Sequence, residues 1–70
     1  MTISILGAGS WSTAIADLLA EKEDVLIYAR DENVVTSINN DHINNKYFPK
    51  NKLNKNIKAT NNLKEIFNNN

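Results

Sequence analysis

At 70 residues with no cysteine, the chain has room for one small domain and excludes both a disulfide framework and a thiolate metal site. No apolar run approaches the ~20 residues that span a bilayer, no basic region precedes the apolar start as in a signal peptide, and a lone His42 makes no metal site, so a soluble cytoplasmic protein is the expectation. Net charge is zero, yet residues 1–41 carry seven acids against Lys22 and Arg30, and residues 42–70 carry six lysines against Glu65; these lysines alternate with asparagine in polar sequence, and neither nucleic acid nor membrane is expected as a partner.

Residues 2–6 read as a short strand. The turn Gly7-Ala8-Gly9 follows, and a helix starts at Ser10 or a neighbour, with Ser and Thr hydroxyls available as caps. Trp11, Ala14, Ile15, Leu18 and Leu19 recur at i, i+3, i+4, i+7 and i+8 and predict one apolar helix face. The polar run Glu21–Asp24 ends that helix. Val25–Ala29 is an unbroken apolar run, typical of a parallel strand covered on both sides. Asp31 is placed to cap a second helix with Val34, Val35 and Ile38 on its apolar side. A long polar loop with Pro49 comes next. Thirteen residues are asparagine, mostly after position 39. Apolar positions still recur there at Ile43, Tyr47, Phe48, Leu53, Ile57, Ile66 and Phe67, which points to a compositional bias over an ordinary fold, not a low-complexity tract. Ile57–Thr60 reads as a third strand. Asn62 caps a last helical turn with Leu63, Ile66 and Phe67.

Strand, helix, strand, helix, strand, helix is the order of an α/β protein, the first half of a Rossmann-type doubly wound parallel sheet. Right-handed crossovers in strand order 3-2-1 place both long helices on one face. The other face and the edge of the first strand are then expected to lie bare, which marks the chain as truncated and predicts poor solubility alone. The glycine turn carries the chemistry. Gly7 allows the tight exit from the strand, and Gly9 lets the backbone approach a dinucleotide pyrophosphate with no Cβ in the way. Free amides at the helix start add favourable charge. Ser12 stands where the general fingerprint has a third glycine, which puts close helix packing in doubt. Ser10 is either a phosphate donor or a plain N-cap. Trp11 is a core or lid residue, or a cofactor contact. Arg30 followed by Asp31 ends the second strand, where an arginine receives a 2′-phosphate and an acid holds a ribose hydroxyl; both NADP and NAD fit, NADP being favoured. The alternative for Arg30 is a surface ion pair with Asp31 or Glu32.

Separate segments resemble one family, the bacterial NAD(P)-dependent glycerol-3-phosphate dehydrogenases. Gly7-Ala8-Gly9-Ser10-Trp11 with Thr13-Ala14-Ile15-Ala16 is similar to its opening. Arg30 ends the second strand as the family's arginine does. Ile38-Asn39, His42, Asn44 and Lys46-Tyr47-Phe48-Pro49 resemble its characteristic loop, and Leu53, Asn56-Ile57, Ala59-Thr60 and Leu63 the stretch through its third strand. The departures are Ser12 for a glycine, Lys50 for the glycine after the proline, and Asn54 for a proline. The resemblance implies cofactor contacts at Ser10, Trp11 and Arg30, with Tyr47 a further candidate beside Gly7 and Gly9. Tyr47 and Phe48 otherwise pin the loop to the sheet, the preferred role for Phe48, and His42 anchors the loop. The implied reaction is reduction of dihydroxyacetone phosphate to sn-glycerol 3-phosphate for phospholipid synthesis. The family's catalytic lysine and substrate domain lie beyond residue 70, and none of the lysines present matches that catalytic position. Residues 1–70 are thus expected to form a partial NAD(P)-binding domain that is inactive without the remainder of the enzyme. The rival readings are a free-standing dinucleotide-binding or redox-sensing module, and a dehydrogenase of another substrate, against which the His42–Pro49 loop argues.

Overall fold

The computed structural model describes residues 2–68. In chain order it has β1 (Thr2–Leu6), α1 (Ser10–Leu19), β2 (Asp24–Tyr28), α2 (Glu32–Thr36), a π-helical continuation Ser37–Asp41, β3 (Ile57–Thr60) and α3 (Leu63–Asn68). The strands form one sheet in the order β1-β2-β3, all parallel. This is the predicted half of a doubly wound sheet. The second strand is shifted one residue toward the N-terminus of the expected run, although the Ala29 amide still donates to Thr60 O at 2.9 Å.

Register and pleat decide the two faces. Ile3, Val25 and Ile57 are aligned across the sheet, as are Ile5, Ile27 and Ala59, and alternate residues of a strand point to opposite sides. That first face packs Val25, Ile27, Ile57 and Ala59 against Ala16 of α1, Ala20 just past its end, and Val34 and Ile38. The face of α1 turned to the sheet is therefore made of small residues, Thr13 and Ala16, with Ala20 at its end. They bring the helix close, and the doubt raised by Ser12 is resolved, since Ser12 is not one of the residues buried there.

The large apolar stripe of α1 is a correction to the sequence reading. Trp11 is 84% exposed, and Leu18 and Ile15 are also open. Periodicity marked a real stripe, but size decided which side met the sheet: a strip of alanine and threonine packs closely, Trp11, Ile15 and Leu18 turn outward, and of the stripe's bulky residues Leu19 packs against the core. Core packing for Trp11 is excluded. A chain showing an apolar stripe of this kind is expected to self-associate as concentration rises. Light scattering is the check, with Leu18→Glu shifting the distribution toward monomer; a monodisperse wild-type monomer at high concentration contradicts it.

The second face is not bare as expected. Thr60 points to that side, and its Oγ1 donates to Glu65 of α3 at 2.7 Å. Buried Ile66 anchors α3, which lies against β1 and β2. Asn62 Oδ1 accepts from Lys64 N at 3.0 Å, the predicted cap of this helix. Leu6 on the same side stays exposed, so the cover is partial.

The asparagines outside the core carry local structure. Asn39 Nδ2 donates to Ala59 O at 2.9 Å and its Oδ1 accepts from Ala59 N at 2.7 Å, so one side chain pairs both outward groups of Ala59 on β3. Asn56 Nδ2 donates to Ala20 O at 3.0 Å beyond the end of α1. His42 adopts the left-handed conformation (φ 57°) at the end of the π-helical segment, and its carbonyl accepts from Leu53 N. That is the loop-anchoring role expected of it, made through the backbone.

Candidate functional site

An open groove of about 720 Å³ lies at the C-terminal ends of the strands, lined among others by Gly7, Gly9, Arg30, Lys46, Tyr47 and Leu63. This end of a parallel sheet is where α/β proteins place ligands, because helix N-termini and loops converge there. The sequence-predicted residues Gly7, Gly9, Arg30 and Tyr47 meet along its wall, while Ser10 and Trp11 stand in the first turn of α1 and do not line it.

The two glycines are required for different reasons. Gly7 has φ 97°, a conformation that side chains other than glycine rarely adopt, and its amide donates to Tyr28 O at 3.0 Å. The fold itself demands glycine there. Gly9 has φ −72° and ψ −179°, open to any residue, and a Cβ built on it meets no atom within 4 Å. Neither backbone conformation nor packing explains a glycine at position 9. Its place as N-cap of α1 suits glycine better than alanine, and its backbone lines the groove without a side chain.

Gly9 is also the N-cap of α1, with no side chain capping the helix. This corrects the expectation of a hydroxyl cap. Ser10 Oγ instead donates to Tyr47 O at 2.7 Å, and Thr13 Oγ1 reaches Ala8 O at 3.4 Å. The first-turn amides, which have no intrahelical acceptor, are left without a side-chain partner at the groove.

Asn44 holds the loop to this turn. It is fully buried, and its Nδ2 donates to Ala8 O and to Thr13 Oγ1, both at 2.8 Å. Its Oδ1 accepts from Tyr47 N at 3.1 Å and from Lys46 N at 3.3 Å. One amide thus fixes Tyr47 and Lys46 relative to Ala8, between the two glycines. Phe48 packs against the core, the pinning role expected of it, while Tyr47 stays half open at the rim.

Asp31 caps α2, with Oδ1 accepting from Asn33 N at 2.8 Å. The ion-pair partner of Asp31 is Lys46 at 3.5 Å, not Arg30. Lys46 Nζ also sits 5.3 Å from the centre of the Tyr47 ring. The Tyr47 side chain first, and then the charge of Asp31, hold the Lys46 ammonium above its ordinary value. The sequence reading passed over Lys46 and the tether made by Asn44. The signal available was their spacing, Asn44 two residues before Lys46 and three before Tyr47 in the loop whose residues had carried the resemblance. Among the described residues no cluster of three metal-ligating side chains occurs, and no helix is long and apolar enough to cross a membrane.

Residues 2–70 match the family model described as the NAD-dependent glycerol-3-phosphate dehydrogenase N-terminus. Similar relatives include the glycerol-3-phosphate dehydrogenase (NAD(P)+) of Halothermothrix orenii, 54% identical over 65 residues, covering 91% of this chain and 19% of the relative. The enzyme of the same name from Erythrobacter litoralis is 45% identical over 65 residues, covering 91% and 20%. Among solved structures, glycerol-3-phosphate dehydrogenase from Plasmodium falciparum superposes with a TM-score of 0.87 at 35% identity, covering 97% of this chain and 22% of its own. That from Coxiella burnetii gives 0.84 at 35% identity, covering 96% and 21%. The chain spans about one fifth of the length of these relatives.

Proposed function

The chain belongs to the family of NAD-dependent glycerol-3-phosphate dehydrogenase N-termini, and from that membership we propose that it forms the cofactor-binding part of a glycerol-3-phosphate dehydrogenase acting on dihydroxyacetone phosphate and serving phospholipid synthesis. The single observation that carries the site is Gly9, a glycine that neither backbone conformation nor packing requires, facing an open groove at the end of a parallel sheet. The groove fits a dinucleotide: its volume lies in the range of small-molecule sites, its glycine end offers bare amides, and its far end offers a guanidinium. The Gly9 and Ser10 amides hold the pyrophosphate at the turn that Gly7 permits, Arg30 holds the adenosine end, and Tyr47 borders the groove. Trp11 and Ser10, which stand outside the groove, contact the cofactor only where it extends over the first helical turn. When bound, the nicotinamide supplies hydride to a ketone carbon. The residues present bind and orient; the relatives' remaining four fifths supply the substrate site.

Two measurements test this. Titration of the isotopically labelled chain with NADPH or NADH, followed by amide chemical shifts, is expected to move Gly7, Gly9 and Ser10, with weak affinity because a dinucleotide also lies across the second half of such a sheet. No response at those amides overturns the reading. The 70-residue chain mixed with dihydroxyacetone phosphate and NADPH is expected to show no turnover, and measurable oxidation of NADPH dependent on the ketone overturns the division of labour. A second reading, a free-standing binding or sensing module, draws support from α3, which gives the second sheet face a cover of its own. Micromolar affinity in the same titration decides for that reading.

A further inference from the structure

We propose that Lys46 is the specificity-determining cation of the groove: with Arg30 it receives a phosphate ester on the adenosine ribose, and so sets a preference for the 2′-phosphorylated dinucleotide over the unphosphorylated one. The inference rests on the reading of the groove as a dinucleotide site.

Asp31 stands just past the end of β2, where a free carboxylate in this fold type accepts ribose hydroxyls. Here neither oxygen is free. Oδ1 accepts the Asn33 amide at 2.8 Å, and Oδ2 lies 3.5 Å from Lys46 Nζ. The capping bond fixes the acid in place. Its charge, which would repel a phosphate, is offset by the lysine. The ion pair is easily exchanged: 3.5 Å is longer than a good charge-assisted bond, and the Lys46 and Asp31 side chains remain 53% and 39% exposed. Such exposed pairs hold weakly. A phosphate monoester carries close to two negative charges and three acceptor oxygens. It therefore outcompetes a single carboxylate whose other oxygen is committed elsewhere. Lysine suits the exchange, being a point charge on a flexible stem, and the Asn44 bonds to the backbone of residues 46 and 47 keep that stem at the groove. Arg30 and Lys46 come from separate segments, so the phosphate is clasped from the strand end and from the loop.

The test is the dissociation constant of NADPH against that of NADH, read from amide shifts of the 70-residue chain and of its variants. The wild-type chain is expected to favour NADPH. In Lys46→Gln that ratio falls by about 3- to 10-fold, the range for losing one exposed charged partner, with NADH affinity within about 2-fold of wild type. Lys46→Arg keeps most of the ratio, and Asp31→Asn widens it. An unchanged ratio in Lys46→Gln, with Gly7 and Gly9 still responding to both nucleotides, overturns the role of Lys46 and leaves the dinucleotide site standing. Silence at Gly7 and Gly9 with both nucleotides overturns the two together. The Lys46 side chain is exposed, so folding is not at stake, and the dispersion of the same amide spectrum verifies it.

Discussion

Gly9→Ala is expected to cost about 0.5–1 kcal/mol of stability, since glycine is the better N-cap, while lowering NADPH affinity by about tenfold or more. Gly7→Ala is expected to do the reverse in kind. At φ 97° the added Cβ costs about 1–2 kcal/mol of folding stability. For a domain of this size, holding together by about 4–10 kcal/mol, that is a large fraction. The contrast follows from geometry. A Cβ at position 9 meets no atom of the folded chain, whereas a diphosphate packed on the turn would meet it. Urea melts and amide-shift titrations on both variants separate the two effects. If Gly9→Ala destabilises as much as Gly7→Ala, position 9 is glycine for a reason of folding, and the pyrophosphate seat loses its main support.

Asn44→Asp is expected to remove a large part of the stability, about 3 kcal/mol or more. The buried amide donates to Ala8 O and Thr13 Oγ1 and accepts from two loop amides. An aspartate keeps the acceptor half and loses the donor half, leaving a carboxylate against a carbonyl oxygen in a dry site. Asn44→Ala leaves those groups unpartnered and is expected to cost about 2–3 kcal/mol. Denaturant unfolding gives the totals. Hydrogen exchange gives the location: protection should fall first at Tyr47 and Phe48 and at the turn through Ala8. Exchange that rises evenly through the chain, with the loop no faster than the strands, would show that Asn44 does not tether these segments.

Much of the fold was legible because the signals were local. An apolar run after a polar break gave β2, Asp31 and Asn62 were recognisable as caps, and two glycines at the end of a strand marked the turn. What was not legible depended on competition between faces of one element. On α1 the hydrophobic period was correct, yet it selected the outward side, because close approach to the sheet favours alanine over leucine. Coverage of the second face was also hidden. Six residues of α3 suffice for partial cover once Ile66 is buried, and nothing in a short terminal amphipathic turn announces which strands it will reach. At the site, Arg30 and the glycines were readable from motif and position. Lys46 was not, since its partner Asp31 lies fifteen residues earlier and only the Asn44 tether brings the loop back to it.

The pairing of Asn39 with the backbone of Ala59 gives the sheet a direction of growth. A carboxamide whose two ends satisfy an amide and a carbonyl at once imitates one rung of a neighbouring strand, then stops. The flank beyond Ala59 is thereby closed to further ladders, while the flank of Thr2–Leu6 keeps its rungs unspent. A β-segment joining this scaffold meets a blocked rung at Ala59 and an uncapped flank beside the opening strand.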